Sequence, residues 1–267
     1  MLTQGLPIQE QSTTDIWHCI CNCVRRVITE SAVDPNKIKG IGFDATCSLA
    51  VFSTDTDEPV PVTGPDFTND GNDRNVILWL DHRPVEETEK INNTKHKLLK
   101  YVGGKMSIEM EIPKALWLKN NMPPELFAKC KFYDLTDALT HLATGNETRS
   151  FCSTVCKQGY VPVGVDGSEK GWQEDFFQTI GLGDLAKADF ERMGGVNGVV
   201  RNSQSPPQCT CTCTCTDYSG CIHSCSMDGF LDKNHTPPPP GSPHPCFSLR
   251  SGNWANSEQT GMLPFIQ

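Results

Sequence analysis

An apolar run from Ile38 to Phe43 stops at a polar corner, Asp44-Ala45-Thr46-Cys47-Ser48, and resumes as Leu49 to Phe52. Short apolar runs on either side of such a corner read as strands. Helices surround them in the sequence. Ser12-Thr13-Thr14-Asp15 has the form of a capping box, in which a hydroxyl takes an orphan amide of the first turn. After it Ile16, Trp17, Ile20, Val24, Val27 and Ile28 fall on one helical face. Val76 to Leu80 is another short strand. A helix is expected from about Val85 to Tyr101, stopped at Gly103-Gly104 because glycine readily takes the left-handed end position. Pro113 and Pro124 sit where prolines open helices. Leu135 to Thr144, ended by Gly145, and Trp172 to Ile180, ended by Gly181, are two more. This alternation predicts an α/β domain.

The composition changes near Gly194-Gly195. Residues 1–196 carry seven of the fourteen cysteines among periodic apolar segments; residues 197–267 carry the other seven, with a Cys-Thr repeat at 209–216 and four prolines at 237–240. The second part has no helical or strand period and is expected to be a disordered tail. With 23 basic and 32 acidic residues the net charge is −9, which argues against nucleic acid or an anionic membrane as partner. No run of 18 apolar residues exists to span a membrane. Met1 to Pro7 has neither a basic nor an apolar region of the kind a signal peptide needs. The expected compartment is the cytosol, with the cysteines reduced.

Three segments carry polar groups suited to chemistry. Asp44 to Ser48 lies at the end of an apolar strand, where ligands collect in open α/β sheets; the same residues also suit a turn capped by Asp44 and Ser48. Trp79-Leu80-Asp81-His82-Arg83 offers a flat ring beside a carboxylate and a guanidinium. A sugar suits that mixture, its C–H face on the ring and its hydroxyls on polar partners. An Asp81–Arg83 pair that merely holds a loop is the alternative. Lys157 follows Arg149-Ser150-Phe151-Cys152 and a compact Ser/Thr/Val/Cys stretch, from which an ammonium could reach a hydroxyl or carbonyl oxygen, or simply face solvent. Cys19, Cys21 and Cys23 lie on one helix and are expected to pack in the core. Cys209, Cys211, Cys213, Cys215, Cys221 and Cys225, with His223, could bind zinc or copper(I), but the Cys-Thr repeat matches structural zinc spacing poorly. A translated nucleotide repeat is the simpler account, and no metal site is assigned.

Taken together, these segments resemble the N-terminal part of the FGGY carbohydrate kinases, in particular the eukaryotic D-ribulokinase-like branch. The resemblance runs through Gly40 to Ser48, Asn75 to Arg83, Tyr101-Val102-Gly103-Gly104, Pro113-Lys114 with Leu116 to Lys119, Phe132 to Leu135, Ala143-Thr144-Gly145 and Lys170-Gly171-Trp172, covering roughly residues 10–195. It implies part of an RNase H-like (actin-like ATPase) domain over 1–196, with a mixed sheet and flanking helices. It also implies phosphorylation of a ketopentose such as D-ribulose, with ATP and Mg²⁺ as cofactors. Cys47, Trp79 and Lys157 match sugar-contacting positions of ribulokinases. Asp44, Asp81 and Arg83 match residues that shape the same pocket. Xylulokinases carry a Gly-Gln-Met-His-Gly-like stretch where this chain has Asp44 to Ser48, which favours a ribulose-type sugar.

The resemblance also implies parts that the matching text lacks. Family members open with a strand and an Asp-x-Gly-Thr-like phosphate loop, and their catalytic aspartate and adenosine-binding glycines lie in a second domain. Gly103-Gly104-Lys105-Met106-Ser107 lacks the spacer of a phosphate loop. The expectation is therefore a chain that holds a sugar but does not phosphorylate it alone, acting as a non-catalytic form, as a homo-oligomer, or paired with a full-length kinase.

Overall fold

The computed structural model of the chain describes residues 8–64, 67–68, 73–161, 171–195, 199–200, 224–226 and 247–251. Its centre is a four-stranded antiparallel sheet in the order β1 (Glu10–Gln11), β4 (Val76–Leu78), β3 (Ser48–Ser53), β5 (Cys130–Asp134). Strand β3 is covered on both faces, which is why Leu-Ala-Val-Phe carries no polar alternation. Leu49 and Val51 pack with Ile77 and Phe132 in one layer; Ala50 and Phe52 pack with Val76 and Tyr133 in the other. Helices α2 (Val85–Asn93), α3 (Glu111–Asn121) and α7 (Glu174–Ile180) close the first layer through Ile91, Leu116, Leu118, Phe176 and Phe177. Helices α1 (Thr13–Ser31) and α5 (Leu135–Thr144) close the second through Ile16, Trp17, Ile20, Ala138 and Leu139.

Several local expectations hold. The Ser12 hydroxyl accepts the Asp15 amide at 3.3 Å and caps α1. Helix α5 has the expected bounds, followed by Gly145 at φ 68°. Pro124 is the first residue of α4 (Pro124–Phe127). Pro113 is the third residue of α3, where the missing amide is still one of the orphans.

Others are corrected. The corner is narrower than expected: β2 runs Ile38–Thr46 and β3 restarts at Ser48, so Cys47 alone makes the bend. Asp44 is thus a strand residue. The single helix expected over 85–101 is broken, because Thr94 bonds back to the Ile91 carbonyl at 2.6 Å and Lys95 turns left-handed at φ 51°. The chain resumes as a 3-10 turn, Lys97–Val102, ended by Gly103 at φ 82°. The helix expected from Trp172 starts at Glu174. Cys19 and Cys23 are exposed and Cys21 half-buried rather than in the core, because the apolar face of α1 that meets the sheet layer is the one carrying Ile16, Trp17 and Ile20.

Strand β6 (Arg149–Ser150) leads into α6 (Phe151–Lys157) and pairs in parallel with β7 (Val199–Val200). Strand β2 has antiparallel backbone ladders to β8 (Ser224–Ser226) and β9 (Phe247–Ser251). The rest of the segment expected to be a disordered tail lies outside the described residues, as does most of its cysteine set. Among the described residues no helix is long and apolar enough to cross a membrane.

The turn after β4 is fastened by three buried charges. Arg83 donates Nε to Asp81 Oδ1 at 2.9 Å and Nη2 to Asp81 Oδ2 at 2.6 Å, and Nη2 also reaches Glu10 Oε1 at 2.7 Å. Its Nη1 donates to the Val62 carbonyl at 3.3 Å, and the Gln9 amide donates to Asp81 Oδ2 at 2.8 Å. Burial opposes ionisation, yet Arg83 and the Gln9 amide hold the Asp81 carboxyl below its ordinary range. One guanidinium thus joins β1, the turn after β4 and the Val62 loop. Arg83→Met leaves two buried carboxylates unpaired and is expected to cost about 3–5 kcal/mol in urea unfolding; a loss below about 1 kcal/mol, the range of an exposed pair, contradicts this reading.

Candidate functional site

The sheet register brings three strand ends together. Ser48 lies opposite Leu78 and Leu49 opposite Asp134, so the bend at Cys47, the turn at Trp79 and the end of β5 meet at one end of the sheet. At that end Asp134 closes β5 and stands at the N-cap of α5 without making a side-chain cap bond. Its carboxylate turns elsewhere. Asp134 Oδ2 accepts from Lys157 Nζ at 2.7 Å, Thr136 Oγ1 at 2.6 Å and Ser153 Oγ at 2.9 Å. The Ser48 amide approaches Oδ1 at 3.4 Å. Both partners of the Lys157–Asp134 ion pair have side chains with 0% exposure.

Lys157 ends α6, a helix whose start is set by the Ser150 hydroxyl accepting the Ser153 amide at 3.0 Å. The same short helix therefore delivers both Ser153 and Lys157 to Asp134, one turn apart. Helix α3 approaches from another side. Glu111, its first residue, accepts from Gln158 Nε2 at 2.7 Å. Lys114, one turn on and fully buried, donates to the carbonyls of Glu109 at 2.8 Å and Ile108 at 3.2 Å, with those of Trp79 and Met110 at 3.4 Å. The Cys47 thiol contacts the Glu109 carbonyl at 3.6 Å. Lys114 thus ties the Trp79 turn to the backbone that Cys47 touches.

The electrostatics follow from burial and from these neighbours. Burial raises the Asp134 carboxyl, but the charge of Lys157 and the surrounding donors bring it below the ordinary range. Burial, and then the charge of Asp134, lifts Glu111 well above the carboxylate range, so it is a neutral acid. Burial pushes the Cys47 thiol well up as well, so it is no nucleophile. Burial brings Lys114 down to about 8. Burial and Asp134 push Asp137 up to about 7; its Oδ1 accepts the Ser150 amide at 3.0 Å.

Of the six residues expected at the site, Cys47, Trp79 and Lys157 come to this end of the sheet; Cys47 and Lys157 are buried and Trp79 half-buried. Asp81 and Arg83 are spent on each other and on Glu10, as an architectural clamp behind the Trp79 turn. Asp44, half-buried, lies three residues before the bend. Glu111, Lys114, Asp134, Asp137 and Gln158 are additions. Asp134 carried the one usable signal, a charged residue closing an apolar strand run, the same logic that marked Asp44.

Among the described residues, two groups of side chains have metal-ligand types within 4.8 Å of one another: Cys47, Glu111 and Asp134, and Asp57, His141 and Glu147. Neither fits Mg²⁺, which demands an octahedral oxygen shell with several waters. The first contains a thiol and a neutral acid, and its carboxylate is held by Lys157. In the second, Lys131 Nζ lies 2.7 Å from both Asp57 and Glu147 and supplies the cation itself. No step through a metal is assigned to these residues.

This end of the α/β sheet gathers a buried lysine–carboxylate pair, a neutral acid and an aromatic turn. The N-terminal domain of the FGGY family of carbohydrate kinases matches residues 3–183. A D-ribulokinase of Saccharomyces cerevisiae is 57% identical over 199 residues, covering 74% of this chain and 27% of that protein. An FGGY carbohydrate kinase domain-containing protein of Homo sapiens is 44% identical over 186 residues, covering 69% of this chain and 31% of that one. The crystal structure of a "xyloylose kinase" from Brucella ovis shares the fold, with a TM-score of 0.52 at 18% identity over 69% of this chain and 35% of that one. This chain belongs to the FGGY family of carbohydrate kinases. It spans about a third or less of the length of the curated relatives it matches. Kinases of the family use ATP and a divalent metal in general.

The raised Asp137 gives a pH test of the buried cluster. The folded state keeps a proton on Asp137 that the unfolded chain releases near its ordinary value of 3.8. Its stabilising contribution is full below that value and is lost as pH rises through about 7. Asp137→Asn is neutral throughout and is expected to flatten that fall, worth up to about 4 kcal/mol. Urea unfolding of both proteins from acid to mildly basic pH decides it; an unchanged slope in the variant contradicts the assignment.

Proposed function

We propose that this chain holds the sugar for a carbohydrate kinase and that the sugar is a ketopentose of the D-ribulose type. The observation that carries the reading is Lys157, an ammonium fixed by Asp134 at 2.7 Å at the sheet end where Cys47 and Trp79 also stand. A lysine held in this way keeps its direction, and can donate to a hydroxyl or carbonyl oxygen of the sugar without first being ordered. The half-buried Trp79 ring supplies an apolar face for the sugar C–H groups. Cys47 adds a small buried side chain at the bend, too high in pKa to attack the ligand. Asp81 and Arg83 hold the turn beneath Trp79, and Asp44 lies on the strand leading to Cys47. The 57% identity to a D-ribulokinase supports the ribulose type.

ATP and Mg²⁺ belong to the proposed reaction of the complete kinase, and the described residues are assigned to the acceptor sugar alone. A cytosolic location fits a sugar phosphorylated at the expense of ATP.

Titration calorimetry of the full chain with D-ribulose tests the reading. Binding is expected, and Trp79→Ala is expected to weaken it about tenfold, the worth of one lost ring face, with no change in the unfolding midpoint. Absence of binding, or equal binding by the variant, contradicts the proposal.

A further inference from the structure

Lys114 is fully buried, and among the described residues its ammonium bonds to main-chain carbonyls rather than to a carboxylate. Three of those carbonyls are local. Ile108, Glu109 and Met110 belong to the turn that leads into α3, the helix that carries Lys114 itself. The fourth is not: Trp79 is 35 residues away in sequence, in the turn after β4. Lys114 therefore joins the start of α3 to the turn whose ring faces the sugar. The Asp81–Arg83 pair fastens the residues that follow, while the Trp79 carbonyl itself is held by Lys114.

A count of protons shows which of these links depends on charge. An ammonium has three donors. The two shortest contacts, to Glu109 at 2.8 Å and Ile108 at 3.2 Å, take two of them. The third lies between Trp79 and Met110, each at 3.4 Å. A neutral amine keeps only two donors, and the nearer local carbonyls retain them. The link that needs the charge is thus the long one, to Trp79.

Four titratable groups face the ammonium: the Cys47 thiol at the β2–β3 bend, Glu111 on α3, Asp81 in the turn after β4, and Glu109 just before α3. Cys47 and Glu111 are protonated, and Asp81 is spent on Arg83. Their pull only partly offsets the burial that brings Lys114 down to about 8. The charge is present below that value and is lost as pH rises through it.

We propose that Lys114 is a positioning residue whose third ammonium proton holds the Trp79 carbonyl and so sets the ring against which the ketopentose packs. The inference rests on the sugar-binding reading above, and it makes sugar affinity depend on pH through Trp79.

The test is calorimetric titration of the full chain with D-ribulose from about pH 7 to about pH 9.5, either side of the Lys114 transition. The parent, Trp79→Ala and Lys114→Met are compared. In the parent, affinity is expected to fall by up to about tenfold, the worth of the ring face, with a midpoint near about pH 8. Trp79→Ala has no ring to position, so its weaker binding is expected to lack this step. Lys114→Met is expected to bind about tenfold more weakly than the parent at neutral pH and to lack the step as well. A merely structural lysine gives a flat parent profile, or a step of equal size in Trp79→Ala. Either result overturns the inference and leaves the sugar-binding reading intact. A parent that binds no ketopentose at any pH overturns both. Should Lys114→Met fail to fold, the parent and Trp79→Ala profiles decide the question between them.

Discussion

The structure depends most on the ion pair between Lys157 and Asp134. Removing two charges from water costs several kcal/mol per ion, and their attraction repays that only with close geometry and further hydrogen bonds. Both conditions are met: the contact is 2.7 Å, and Thr136 and Ser153 complete the carboxylate's shell. The pair fastens the end of α6 to the end of β5 and sets the charge states around it. Asp134 stays ionised because of Lys157, and its charge in turn helps keep Glu111 and Asp137 protonated. One interaction thus organises a lysine donor, a carboxylate acceptor and a neutral acid in a small volume.

The chain contains a second buried charge cluster, and the contrast is instructive. Around Arg83, donors and acceptors answer one another: a bidentate pair with Asp81, a contact to Glu10, a carbonyl and a backbone amide. That cluster is closed and serves the turn that carries Trp79. Around Asp134, the Gln158 side-chain oxygen and one oxygen of Asp137 lack a hydrogen-bond partner among the described residues. A closed network stabilises, whereas a network with unpaired buried atoms gives up part of that stabilisation.

Much of the fold was legible in the residues themselves. The uniform Leu-Ala-Val-Phe run of β3 announced a strand covered on both faces, and Leu135 to Gly145 announced a helix with its stop. The polar corner is narrower than its composition suggests, because Asp44 and Thr46 are polar but extended in backbone, and only Cys47 bends. The helix expected over 85–101 ends early in the structure, since the break comes from a Thr94 side-chain bond and a left-handed Lys95, which carry no strong local signature. At the site, strand-end reasoning reached Cys47 and Trp79. Lys157 taken alone looked like any surface lysine, and its meaning came from resemblance until Asp134 was seen beside it. Glu111 and Gln158 stayed hidden because their partners are far away in sequence, 47 residues apart from each other, and meet only through the packing of α3 against α6.

The account's central claim is that Lys157 and Asp134 act as one buried unit, and a double-mutant cycle measures it directly. Equilibrium unfolding of the parent, Asp134→Asn, Lys157→Met and the double variant gives the coupling. Each single change strands a buried charge or donor and is predicted to cost about 3–5 kcal/mol, with the double variant costing less than the sum by about 2 kcal/mol or more. Losses that add to within about 0.5 kcal/mol would mean that the two side chains are energetically independent, and would contradict the account.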